Sequence, residues 1–219
     1  MSSNPQKFDV TGLLRDPGTF VVTAKETGGF GKLVGFLILL TLVGTALFGA
    51  ALGSFVDGRV ALLDAVKMSG ISVFSFALCY PTMYVFACIS GSTLSPLRLL
   101  GVGLVSMATL GCLLAALAPI LWLFAVSTEA VGFIVVFACV LGGVALAFAY
   151  RPIAGAVGKG IAATSAGFKV WFVLFIVVAL QAITLVRPML EPVGAERNPV
   201  GKCFFIRHFA RTLTEPLPQ

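Results

Sequence analysis

Side chains able to do chemistry are few and scattered along this chain. The single histidine, His208, lies near the C-terminus, and the five cysteines, Cys79, Cys88, Cys112, Cys139 and Cys203, form no C-x-x-C pair. Four of those cysteines fall in apolar stretches, where a thiol behaves as a small apolar group, so zinc, haem and disulfides are not expected. No H-E-x-x-H, G-x-S-x-G or closely spaced acidic pair is present. Gly155-Ala156-Val157-Gly158-Lys159-Gly160 resembles a phosphate loop only in part. The first glycine of that motif would have to stand at Ile153, and Gly160 replaces the hydroxyl that would hold magnesium. It reads as a flexible linker, and no cofactor is expected.

Polar residues do line up at two places inside apolar sequence. Ser72, Ser75, Cys79 and Thr82 recur at helical spacing beside Tyr80, Pro81 and Tyr84, a face with hydroxyls and a carbonyl freed by the proline. Gln181 and Thr184 share a second face, just before Arg187 and Pro188. Such groups can line a solute path, or they can bond their own backbone or a neighbouring helix.

The elements that must carry these residues are long apolar runs at 33–53, 67–91, 97–126, 131–150 and 170–186. Each reaches or approaches the roughly 20 residues that a helix needs to cross the hydrocarbon core of a bilayer. Composition agrees: hydrophobic residues make up 58% of the 219 and charged residues 11%, too few to cover a water-facing surface. The mean hydropathy is +1.04. Within lipid every backbone group must be satisfied inside the chain, and runs this continuous do not suit the alternating strands of a barrel. The expected fold is all-α, a polytopic transmembrane bundle of about five spans in residues 33–186. A polar arm (1–32) precedes it and a basic, aromatic tail (187–219) follows. The first run has no cleavage signature and is expected to be retained.

Both ends carry short amphipathic stretches. Asp16 and Pro17 begin a helix with Phe20, Val21 and Ala24 on one side, and in the tail Phe205, Phe209 and Leu213 oppose Arg207, His208 and Arg211. These suit helices lying in the interface, with Arg187, Lys202, Arg207 and Arg211 on anionic headgroups or on a partner. The net charge of +6 flanks membrane segments, which favours acidic lipid over nucleic acid.

Local signals set the connections. Asp57-Gly58-Arg59 makes a turn, after which Asp64 and Lys67 are expected on the polar side of a helix that extends span 2 into the interface. Gly91-Ser92-Thr93 ends span 2, and Ser95-Pro96 caps span 3, which predicts a tight antiparallel hairpin of the two. Arg151, Lys159 and Lys169 punctuate a Gly- and Ala-rich link between spans 4 and 5. The positive-inside rule places that link, and with it the N-terminus, in the cytoplasm, counting eight basic residues inside against seven outside. Small residues spaced by four mark packing faces: Thr41, Thr45, Gly49 and Gly53; Gly111, Ala115 and Pro119; Cys139, Gly143 and Ala147. They are expected to pack within the chain, with a homodimer seam as the sharper alternative.

The arm with Leu14-Arg15-Asp16-Pro17, the hairpin around Gly91-Ser92-Thr93-Leu94-Ser95 and the late proline Pro119 together resemble the bacterial branch of the Yip-domain membrane proteins, over roughly 13–150. The resemblance implies a five-span fold in a bacterial cytoplasmic membrane with the N-terminus inside. Eukaryotic members bind small GTPases, but this chain lacks their long acidic N-terminal region, so that activity is not carried over. The leading expectation is a non-catalytic subunit or scaffold that holds a protein partner or an oligomer. A small channel or carrier using the face of span 2 with Gln181 comes second, and a lipid-modifying enzyme third.

Overall fold

The computed structural model describes residues 30–56, 58–89, 95–128, 130–157 and 162–185, and all five long elements in them are α-helices. They are α1 (Phe30–Gly53), α2 (Gly58–Ile89), α3 (Pro96–Ser127), α4 (Val131–Val157) and α5 (Ala162–Leu185). Four of these helices, α1 to α4, are long and apolar enough to cross a membrane; the apolar part of α5 is the shorter stretch Lys169–Ile183. Large apolar side chains such as Leu39, Phe74, Leu123 and Val140 face outward along the helices. An apolar exterior of that extent is a surface for lipid. The chain is an integral membrane protein built as a helical bundle. The interfacial helices expected at its two ends lie outside the described residues.

The start of α3 follows the sequence closely. Ser95 adopts an extended backbone, its side chain accepts from the Arg98 N–H at 3.4 Å, and Pro96 occupies the first turn, where its missing donor costs nothing. The helix then runs to Ser127, and Phe124 meets Phe133 and Phe137 of α4 across the turn with ring centroids 5.9 and 4.8 Å apart. These rings tie α3 to α4.

Two expectations about connections need correction. The link between spans 4 and 5 is largely helical: α4 continues through Pro152 to Val157, and α5 already begins at Ala162. Pro152 and Ile153 are buried, while Arg151 lays its guanidinium 4.2 Å over the Phe148 ring, so the extra turns have packing of their own. The second correction concerns α2 and α3, which do not form a tight hairpin. Each packs chiefly on α1, which lies between them. They meet where Phe76 and Met83 of α2 rest on Gly103 of α3.

Glycine explains why α1 takes that central place. A Cβ at Gly111 would stand 2.8 Å from the Leu40 carbonyl oxygen and from the Thr41 Cα, and Gly44 faces the backbone of Gly111 directly. On its other side Gly49 meets Asp64 and Met68, and Gly53 meets Val60 and Ala61. At about 100° per residue, Gly44 and Gly49 lie on different faces of α1, so the helix approaches α3 with one and α2 with the other. Helix α5 packs on α2 through Trp171, α4 packs on α3, and α4 and α5 meet where the Tyr150 and Phe172 ring centroids stand 5.0 Å apart.

Candidate functional site

The polar face of α2 is the first place to look for a site. Ser72 is half-buried and donates to the Met68 carbonyl at 2.8 Å, and Thr82 donates to the Cys79 carbonyl at 2.7 Å. Both hydroxyls are therefore spent on their own helix. Replacing Ser72 by alanine should shift stability by less than about 1 kcal/mol, since no other helix loses a bond; a change beyond that in the unfolding midpoint would point to a partner outside the chain.

The rest of the face is covered. Trp171 of α5 is completely buried and donates its indole N–H to the Cys79 carbonyl at 2.9 Å, so that oxygen accepts from two side chains. Pro81 removes the donor for the carbonyl four residues back, that of Ala77, so the oxygen that receives Trp171 is not the one the proline frees. Phe76 and Met83 are buried beside it. Ser75 has a buried hydroxyl with no hydrogen-bond partner among the described residues, and so has Ser106 of α3. Tyr80 turns the other way, donating to the Pro96 carbonyl at 3.0 Å.

The small-residue rows are placed differently from one another. Thr41, Thr45, Gly49 and Gly53 are all buried; Thr41 and Thr45 donate back to the Leu37 and Thr41 carbonyls, which leaves the backbone of α1 open to close approach. Gly44 belongs to the same packing and was missed because it stands off the four-residue row. Ser69 adds a bond between helices, donating to the Leu42 carbonyl of α1 at 3.0 Å. Gly111 is buried and Ala115 half-buried, whereas Pro119 is exposed. Among the described residues the row on α4 has no packing partner: Cys139, Gly143 and Ala147 are exposed, and none of those residues lies within 4 Å of where a Cβ on Gly142 or Gly143 would be. Of the described helices, α3 and α5 pack on other sides of α4.

No protein-family model, curated protein or solved structure matches this chain. What it does has to follow from its own residues.

Gln181 is half-buried in α5 next to the buried Ala182. Thr184 lies in the last turn of α5, while Arg187, Lys202, Arg207 and Arg211 fall outside the described residues. One residue departs from its expected place. Asp64 is not on a polar side: its carboxyl is fully buried, 3.0 Å from Lys67 Nζ, at the seam where α2 meets Gly49 of α1. Its sequence neighbours hid this, because Lys67 three residues on looks like an ordinary surface pair. The signal available was that Asp64 belongs to a helix otherwise apolar for most of its length.

Proposed function

We propose that this protein is a non-catalytic subunit or scaffold of a membrane complex, holding a partner's transmembrane helix against the outer side of α4. What carries the reading is the row Cys139, Gly143 and Ala147, whose four-residue spacing suits close helix approach and which none of the described residues occupies. Val136, Val140 and Val144 flank it with exposed β-branched side chains, stiff groups that lose little freedom on packing. The interior of the bundle is, by contrast, filled by Trp171, Phe76 and Met83, which close over the buried hydroxyls of Ser75 and Ser106 and count against a carrier path there.

The orientation belongs to the same proposal. Lys32, Arg98, Arg151 and Lys169 gather at the end of the bundle where α1, α3 and α5 begin and α4 finishes, while Arg59 and Lys67 share the other end with Asp64. Counted over the described residues, that distribution supports an N-terminus in the cytoplasm under the positive-inside rule, in keeping with a bacterial cytoplasmic membrane protein and the resemblance to the Yip-domain group.

The test is the native mass in mild detergent, with every co-purifying chain identified. A partner or a second copy in fixed ratio is the expected result, and Gly143→Leu should weaken it by about tenfold, corresponding to the 1–2 kcal/mol typical of one membrane helix contact. A monomer without companions, or a complex indifferent to that substitution, would sink the reading.

A further inference from the structure

Asp64 is the one acidic residue among those described, and its side chain has no exposure at all. It stands six residues after Gly58, about 9 Å along α2. Around it Leu62, Leu63 and Val66 point outward with exposures of 72, 48 and 74%, so this level of the helix presents an apolar collar. Inward, α1 closes on it, for a Cβ at Gly49 would stand 2.5 Å from the Asp64 carbonyl oxygen. The carboxyl Oδ1 takes the Lys67 ammonium, and Oδ2 is buried with no hydrogen-bond partner among the described residues.

A carboxylate held in apolar surroundings with one oxygen orphaned is costly, and it is relieved by a cation or by a proton. A metal ion needs several oxygen ligands. Among the described residues no three His, Cys, Asp or Glu side chains come together to supply them. A proton needs only Oδ2. Lys67 makes the exchange possible, because its side chain is 28% exposed and its flexible stem can carry the ammonium out to the headgroups, still charged. Asp64 has no such exit.

We propose that Oδ2 of Asp64 is a proton-binding site within the membrane, and that proton uptake there releases Lys67 toward the headgroups. One proton adds to the carboxylate, the Asp64–Lys67 pair passes from neutral to a single positive charge, and only the Nζ to Oδ1 hydrogen bond is given up. Among the described residues few other charges intervene. Lys32 of α1, Arg98 of α3 and Lys169 of α5 lie at the opposite end of the bundle, and Arg59 is exposed on α2 itself. Cys112 of α3 adjoins Gly111, which packs at Thr41, eight residues and about 12 Å along α1 from Gly49.

The experiment uses the full chain in phosphatidylcholine vesicles, treated with dicyclohexylcarbodiimide, which attacks protonated carboxyls in apolar surroundings, and read by peptide mass. Asp64 should be labelled several-fold more at about pH 6 than at about pH 8, with no effect of added sodium. Lys67→Gln keeps the carboxyl, removes its ammonium and should raise labelling at the higher pH; Asp64→Asn should give background only. Absent labelling, labelling independent of pH, or equal labelling in Lys67→Gln would each overturn the proposal, and suppression by sodium would assign the site to a metal cation instead. None of these outcomes depends on whether α4 binds a partner.

Discussion

Gly44→Leu should abolish the native bundle, and even Gly44→Ala should cost about 3 kcal/mol, at the upper end of what overpacking does. The reason is the identity of the opposing atoms. A Cβ at Gly44 would run into the backbone of Gly111, and at Gly111 it would press on Leu40 and Thr41 of α1. A side chain can swing away from an intruding methyl, whereas a helix backbone can only move as a whole. Moving α3 off α1 would also strip contacts from Leu37, Val105 and Ala108, all almost fully buried. The midpoint of detergent-induced unfolding in mixed micelles measures this. Gly35→Ala is the control, since Gly35 is exposed with nothing within 4 Å, and there alanine should stabilise by about 0.5–1 kcal/mol through helix propensity alone. Equal midpoints for Gly44→Ala and Gly35→Ala would mean that α1 and α3 do not approach as closely as described.

Trp171→Ala is expected to destabilise by about 3–5 kcal/mol, the range for emptying a buried aromatic site. Trp171 is the largest fully buried side chain and stacks on Phe175 at 5.8 Å, so it fills the space between α5 and α2 while its N–H reaches the Cys79 carbonyl. Trp171→Phe separates the two contributions. It keeps most of the volume and loses the hydrogen bond, and the Cys79 oxygen retains Thr82 as a donor, so the loss should stay near 1 kcal/mol. Trp122, the other tryptophan, is 53% exposed on the outside of α3, so either variant should lose the Trp171 share of the emission intensity while the Trp122 signal remains. If Trp171→Ala unfolds at the same midpoint as the parent, α5 does not pack on α2 through this residue.

The sequence by itself determined the class of the molecule and most helix boundaries. Uninterrupted apolar runs leave the backbone no water to bond with, so helix is the available solution, and Ser95-Pro96 marked the beginning of α3 because capping is a local interaction. Where a local signal was ambiguous, the structure went further than the sequence. Arg151 and Pro152 look like the end of a helix, yet α4 continues past them, because burial of Pro152 and Ile153 and the stacking of Arg151 on Phe148 outweigh a missing hydrogen bond.

Tertiary structure alone decided which helices are neighbours and which faces are inside. The spacing of Thr41, Thr45, Gly49 and Gly53 and that of Cys139, Gly143 and Ala147 look alike in sequence, but one row is enclosed between α2 and α3 and the other faces outward. Small residues permit close approach without naming the partner, so the pattern is the same in both cases. Asp64 makes the same point from the polar side. Three residues from Lys67 it reads as half of a surface pair, and only the arrival of α1 at Gly49, from a distant stretch of chain, turns it into a buried carboxyl.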